Sequence, residues 1–359
     1  MLLAIVTFVV IFTLVIMVHE LGHFYFAKRN GVQVEEFGMG MPPRIWGIKK
    51  RGTIYSINWI PFGGFVRLHG ENADEKAGKH ALASKNAGVR FLVLGGGILM
   101  NLALAWVLLM IGFWLSMPPM VGPVENYAPA NQVQGKVVIL QVADKSPAQT
   151  AQLQPGDYIL SVDGAAASDP AAIKSLIAGK AGKTVKLQIE RAGELKTVAV
   201  TPNTTADGVV IGAWIDRAVQ RVSYVWWQVP WVALQETWRV IWLVIMAVVG
   251  LVYKLFTTAS LPAELAGPVG IARITADIVQ LGFLRVLQFV VFLSINLGIL
   301  NLVPFPGLDG GRLLFVGLEV LRGGKKISQQ VEGAIHTVGF LLLMALIIAV
   351  TYKDILKLI

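Results

Sequence analysis

The chain has 359 residues, of which 55% are hydrophobic and only 15% charged. With a mean hydropathy of +0.64, these values exclude an ordinary soluble domain and indicate an integral membrane protein. The net charge of +9 is spread between apolar stretches rather than gathered into one basic face, which argues against nucleic acid as a partner and for a topogenic role. There is no cysteine, which excludes disulfides and thiolate metal sites.

In chain order, Leu2 to Val18 is uncharged and runs into "HELGH" (19–23). It is long enough to cross most of a bilayer. No basic residue precedes it and no small-residue cleavage site closes it, so it reads as a retained anchor rather than a signal peptide. Residues 27–90 carry eleven Lys/Arg and five Asp/Glu. Within them, 53–59 and 65–69 alternate around "PFGG" and predict a strand pair with an edge open to β-augmentation. Phe91 to Met117 is a second apolar span.

Residues 123–202 predict a small α+β domain. "KVVILQV" (136–142) reads as a strand, and "TVKLQIE" (184–190) alternates Val185, Leu187 and Ile189 inward. "ELKTVAV" (194–200) returns across the turn at Ala192-Gly193. "SDPAAIKSLIAGK" (168–180) is a short helix with Asp169 as N-cap, Pro170 in the first turn and Gly179 as its stop.

Val240 to Tyr253, between Arg239 and Lys254, is apolar but short for a span. The tryptophans at 226, 227, 231, 238 and 242 resemble an interfacial belt. An interfacial helix over about 232–256 is therefore expected within the linker 203–282. Further spans are predicted over 283–303 and 333–353, with a basic loop or helix (312–332) between them. The basic segments 27–90 and 312–332 belong in the cytosol by the positive-inside rule, which puts the 123–202 domain outside. The fold class expected is a polytopic α-helical membrane protein with four transmembrane helices, a membrane-associated β-hairpin and one extracytoplasmic domain.

The chemistry sits in the first helix, residues 1–26. His19 and His23 are one turn apart on one face, a spacing that suits two legs of a zinc tetrahedron, with Glu20 beside them. Ionisable groups inside a membrane helix are expensive and usually functional. A catalytic zinc wants a third protein ligand. Asp309, in the irregular "NLVPFPGLDGGR" (301–312), is the first candidate, and Glu319, Glu332 and His336 are rivals. A turn or N-cap role is the plainer reading of Asp309. Equal depth of residues 19, 23 and 309 requires four spans; a fifth, over 240–253, would separate them.

The motifs "HELGH" (19–23), "WIPFGGFVRL" (59–68) and "NLVPFPGLDGG" (301–311), with "AGPVGI" (266–271), resemble the site-2 protease family of intramembrane zinc metalloproteases, in particular its bacterial regulator-of-sigma-E type. "SPAQTAQLQPGDYILSVDG" (146–164) is similar to a PDZ domain. The chain departs from that type in having one such domain where two are common, "GILMN" (97–101) without the usual proline, and Gln152 in place of a common glycine. The resemblance implies one zinc per chain on His19, His23 and Asp309, with Glu20 as the catalytic base. It implies substrate contacts at Asn301, Pro304, Gly63, Gly64 and Phe65. It implies transmembrane substrates such as anti-sigma-factor-like regulators or remnant signal peptides, a peptide ligand for the PDZ-like domain, a bacterial inner-membrane location and an active site near the cytosolic side. The alternatives are a membrane-anchored zinc protease that cuts at the surface with a glutamate as third ligand, and a non-enzymatic metal transporter or PDZ scaffold.

Overall fold

The computed structural model describes residues 2–71, 78–121, 131–133, 136–167, 169–191, 193–205, 208–217, 221–258 and 267–356. The chain divides into two compact units, one made of Met1–Gly112 with Pro230–Ile359, the other of Phe113–Val229.

The first unit begins with α1, Leu2–Arg29. An unbroken run of Leu, Ile, Val and Phe without proline lets it extend about 42 Å at 1.5 Å per residue. Lys28 and Arg29 in its last turn favour the negative end of the helix dipole. Gly31 then takes a left-handed φ of 66°, and the Val32 N–H closes on the Ala27 carbonyl at 2.9 Å. Strands β1, Val34–Lys50, and β2, Thr53–Leu68, follow. Arg51 (φ 50°) and Gly52 (φ 80°) join them, a two-residue turn with both positions left-handed, which suits a hairpin.

The sheet corrects the sequence-based expectation of a strand pair turning at "PFGG". Both strands bend, and residues 36–39 of β1 pair with 54–57 and with 64–67 at once. The spatial order is 64–68, 34–41, 53–60, 44–50, so the predicted partners 53–59 and 65–69 are separated by an intervening strand. Gly38 makes this possible, since a side chain there would collide with the Phe65 ring and Ser56. The predicted span over 91–117 is likewise two helices, α2 (Ala87–Leu94) and α3 (Gly96–Trp114). Asn86 caps α2 by accepting from the Val89 N–H at 2.8 Å.

The second unit holds β3 (Asn131–Val133), β4 (Val137–Val142), α4 (Pro147–Thr150), β5 (Tyr158–Val162), β6 (Ala165–Ala166), α5 (Pro170–Ala178), β7 (Val185–Arg191) and β8 (Glu194–Val200). It continues with β9 (Asn203–Thr205), β10 (Gly208–Val210), β11 (Ala213–Arg217) and β12 (Arg221–Ser223). The main sheet runs β11-β4-β5-β7-β8, with β6 on β5. Its core includes Ile139, Ile159, Ile173, Leu187 and Ile189, all fully buried. The Asp169 carboxylate caps α5 by accepting from the Ala172 N–H at 2.7 Å, and Gly179 ends the helix. The sheet reaches past residue 202, because β11 completes it against β4. Residues 123–130 and Ala192 lie outside the described residues.

The chain returns to the first unit through α6 (Val229–Thr258), α7 (Pro268–Gln280), α8 (Phe283–Leu302), α9 (Asp309–Leu321) and α10 (Gln329–Leu356). Among the described residues, five helices are long and apolar enough to cross a membrane: Ile5–Arg29, Gly96–Trp114, Val229–Lys254, Phe283–Leu302 and Gln330–Leu356. α6 outruns its apolar stretch because Glu236 and Arg239 are carried in its first half, Glu236 fully buried. α8 ends where Pro304 and Pro306 approach, since a residue before proline is pushed out of the helical region.

Three helices frame the site. Ile11 and Val15 of α1 meet Phe289 and Val290 of α8, and His19 lies by Asn301 further along both, so α1 and α8 run parallel. α3 runs against them. Gly97 meets the two histidines, and the Ser294 hydroxyl donates to the Asn101 carbonyl at 2.8 Å one turn on.

Candidate metal centre

His19 and His23 project from the last third of α1 and are both 5% exposed. The His23 Nδ1 lies 2.8 Å from the Val93 carbonyl of α2. A carbonyl only accepts, so Nδ1 carries the proton and Nε2 presents a lone pair. That Nε2 lies 3.1 Å from His19 Nε2 and 3.2 Å from Asp309 Oδ2. His19 Nε2 is 3.0 Å from the same carboxylate oxygen.

Three metal-ligating atoms thus converge on one point from opposite ends of the sequence, 290 positions apart. A tetrahedral ion with bonds of about 2.0–2.1 Å has ligand-to-ligand edges of about 3.3 Å, close to these separations. Ligating atoms facing one another in a buried site repel unless a proton or a metal ion joins them, and two imidazoles with one carboxylate at this spacing are a donor set that fits a zinc ion. His19, His23 and Asp309 form the only group of three or more such side chains in reach of a common ion among the described residues.

The rivals for the third ligand are engaged elsewhere. Glu319 pairs with Arg90. His336 Nδ1 accepts from the Gly307 N–H at 2.9 Å and so braces the loop that delivers Asp309. Glu332 lines a cavity of about 690 Å³ with Arg90, Arg312 and His336. The N-cap of α9 is Leu308, and Asp309 is its first helical residue, so the carboxylate is not a cap. His69 pairs with Glu35 at 2.9 Å.

Glu20 lies one residue on from His19, rotated about 100° around the helix. Its Oε2 accepts from the Val66 N–H of β2 at 3.0 Å. The Asn301 amide nitrogen is 3.4 Å from His19 Nε2. Gly63 and Gly64 lie along α1, where the Gly63 N–H reaches the Thr13 hydroxyl at 3.4 Å and a side chain at 64 would overlap Met17. The Phe65 ring packs beside Gly38, and Pro304 is exposed. The structure therefore gathers Glu20, His19, His23, Asp309 and Asn301 with the 63–66 segment.

Several contributors were not singled out from sequence. Gly97 is in van der Waals conflict with nothing only because it lacks a side chain: a Cβ there would stand 2.5 Å from His23 Nε2 and 2.6–2.7 Å from His19 ring atoms. The Val93 carbonyl and the Val66 N–H are backbone groups with no sequence signature. The glycine run 95–97 was the one available signal.

The profile of peptidase family M50 matches residues 7–346. The chain belongs to peptidase family M50. It is 34% identical over 352 residues to a Clostridium perfringens protein provisionally named as a zinc metalloprotease, with 96% of each chain covered. It is 29% identical to the zinc metalloprotease RasP of Geobacillus kaustophilus, covering 99% of this chain and 98% of that one. It is 28% identical to the regulator of sigma-W protease RasP of Bacillus subtilis, again covering 99% and 98%. A PDZ domain of an SdrC-like protein from Listeria innocua aligns with 22% of this chain and 92% of its own, at 24% identity and a TM-score of 0.21. The chain is accordingly a membrane zinc metalloendopeptidase of the site-2 protease family.

Proposed function

We propose that His19, His23 and Asp309 hold one zinc ion per chain and that Glu20 is the general base, cleaving transmembrane segments of anchored proteins. The convergence of three metal-ligating atoms within 3.0–3.2 Å carries this reading. A zinc ion held there supplies a Lewis acid for the scissile carbonyl and lowers the pKa of water towards about 7. Glu20 takes a proton from the attacking water on its carboxylate and passes it to the leaving amine. Asn301, beside His19, donates to an exposed substrate carbonyl.

A helical substrate must expose its amides, at several kcal/mol per unpaired group in hydrocarbon. Strand 64–68 is an edge of the four-ply sheet, and the Val66 N–H on its outer side already points at Glu20. A substrate segment added to that edge would lie with its peptide bonds against the base. The names of the RasP relatives suggest anchored regulators of sigma factors as substrates, with remnant signal peptides as a second class.

Four spans are favoured over five by the path of the chain. α10 passes the metal loop at Gly339 and Phe340 and reaches Asp354 about four turns, roughly 21 Å, further on. Asp354 accepts from the Gly267 and Gly270 N–H groups at 2.7 and 2.8 Å, so α7 starts on the side away from the metal. α6 starts towards that side too, where Trp106 donates to the Pro230 carbonyl at 3.0 Å. From Thr258 to Gly267 the chain reaches at most about 32 Å fully extended. An α6 that crossed would have to return through about 30 Å of hydrocarbon as bare, unpaired backbone. An interfacial α6, with Trp231, Trp238 and Trp242 more than half exposed, needs no such return. The second unit then lies outside the cytoplasmic membrane as a PDZ-like module that takes a peptide ligand, and the metal sits near the cytosolic face.

The test compares wild type with Glu20→Gln on a fluorescent transmembrane reporter, together with zinc content. Lost cleavage with retained zinc is expected. Unchanged cleavage refutes the base assignment. Separate Asp309→Ala and Glu319→Ala chains decide the third ligand: the first binds no zinc even when zinc is saturating, and the second still takes up one zinc per chain at saturating zinc.

A further inference from the structure

Two ion pairs leave α9, and each reaches an element that holds a different part of the site. Arg312, one turn after Asp309, pairs with Glu71. The other carboxylate oxygen of Glu71 accepts from the Leu68 N–H at 3.3 Å, at the end of the edge strand whose Val66 N–H holds Glu20. Glu319, further along α9, pairs with Arg90 of α2, both side chains 11% exposed. Arg90 lies one turn before Val93, whose carbonyl fixes the His23 ring.

We infer that α9 is the positioning element of the site: Arg312 sets strand 64–68, and with it Glu20, against Asp309, while Glu319 sets α2, and with it His23, against the same residue. The inference rests on the ligand and base roles proposed above. Neither arginine touches the three ligating atoms, so both act through other residues. The physical need is plain. Asp309 arrives on a separate helix, across a Pro/Gly loop, and must meet α1 within a few tenths of an ångström for a metal bond to form. The loop alone is too irregular to hold that tolerance. Charge-assisted pairs in a partly desolvated setting have the stiffness to do so.

The two pairs predict different losses, which a general structural role would not separate. In the full-length chain, Arg312→Gln and Glu71→Gln should each lower kcat on the transmembrane reporter about tenfold or more, as outer-shell changes do, with zinc content unchanged. Because both break one link, the double variant should be no worse than the poorer single. Arg312→Lys, which keeps the charge, should recover most of the rate. Glu319→Gln should instead weaken zinc binding about 10- to 100-fold, with the rate recovered at saturating zinc. Should Glu319→Gln fail to fold because Arg90 is left buried and unpaired, the double variant Glu319→Gln with Arg90→Gln, which removes both charges, carries the same zinc titration. The inference is overturned if Arg312→Gln keeps the wild-type kcat, if it loses zinc in step with activity, or if the two singles add. It is also overturned if neither α2-side variant shifts zinc affinity. Failure of the metal and base assignment itself shows differently, as a wild-type chain without zinc or an active Glu20→Gln.

Discussion

Replacing Gly97 by alanine tests the site from a position that carries no chemistry. In an ordinary helix the change stabilises by about 0.5–1 kcal/mol, because glycine gives up more backbone entropy on folding. Gly250 of α6 has nothing within 4 Å of its would-be Cβ, and Gly250→Ala should show that gain. At Gly97 the added carbon would stand 2.5 Å from His23 Nε2 and 2.6–2.7 Å from Cε1 and Nε2 of His19. Relief to ordinary contact needs a shift of about 1 Å in the rings or in α3, against a metal-bond tolerance of about 0.2 Å. Overpacking of this kind costs about 1–3 kcal/mol. Charged to the metal site, that is roughly a 5- to 150-fold loss of zinc affinity. The assay is zinc per chain by elemental analysis across a chelator series, with reporter cleavage and thermal unfolding on the same preparations. Gly97→Ala should lose zinc and cleavage while Gly250→Ala keeps both. Full zinc and wild-type cleavage in Gly97→Ala would refute the claim that α3 closes directly onto the ligand rings.

Other perturbations separate the two units and the hairpin. Asp157, 1% exposed, takes a bidentate pair from Arg191, with both N–O distances 2.6 Å, and accepts from the Gln154 N–H. Asp157→Ala should destabilise the second unit by about 3 kcal/mol, seen as lost hydrogen-exchange protection in β5 and β7, with zinc content unchanged. Burial acts to raise the pKa of Glu36 in β1, but hydrogen bonds from Ser56 and Arg44 outweigh it and hold the carboxyl below its ordinary 4.5. Its contribution is therefore present above that value and lost as pH falls through the lower folded one. Acid should loosen β1 in wild type, and Glu36→Gln should flatten that dependence; an unchanged acid profile would remove the pair from the account.

Much of the site was legible because its chemistry is written in side chains. A His-Glu-x-x-His pattern within hydrocarbon has few alternatives, and an aspartate in a Pro/Gly break is the natural third ligand when cysteine is absent. The alternation of Val185, Leu187 and Ile189 likewise announced their burial. What escaped is carried by backbone. Residues 34–41 were not read as a strand because Gly38 and Gly40 dilute the pattern and Pro42 and Pro43 follow at once, although only glycine permits the close strand packing at 38. The break between α2 and α3 falls at Gly95, in a glycine run that hydropathy passes over as apolar. β11 was missed because its partner β4 lies about 70 residues back, and strand pairing at that distance leaves no local mark. For α6 the expected bounds 232–256 fall just inside the observed Val229–Thr258; its apolar run begins only after Arg239, and Val232, Ala233, Glu236 and Thr237 bury one face before it.

The proposed ligand set also fixes how the chain should respond to removal of zinc. The histidines sit one turn apart on a continuous helix, and His23 is pinned by Val93. Asp309 has no such support within its own element. It follows a loop held by the His336 ring at Gly307 and by the ion pairs of α9. Without a metal, His19, whose Nδ1 has no partner, can carry its proton on Nε2 and donate to Asp309, but the His23 lone pair still faces that carboxylate oxygen at 3.2 Å in a buried site. Their repulsion must be relieved by the part that yields most readily, which is the loop 303–308 and the first turn of α9. Chelation should therefore raise hydrogen exchange across 303–312 while α1 and the sheet of the second unit keep their protection. It should also lower the unfolding temperature of the first unit by an amount that grows with the zinc concentration removed, as mass action requires. If exchange rose first in residues 15–23 instead, Asp309 would be the rigid member of the set and the histidine helix the adaptable one, the reverse of what the contacts of α1 and α9 dictate.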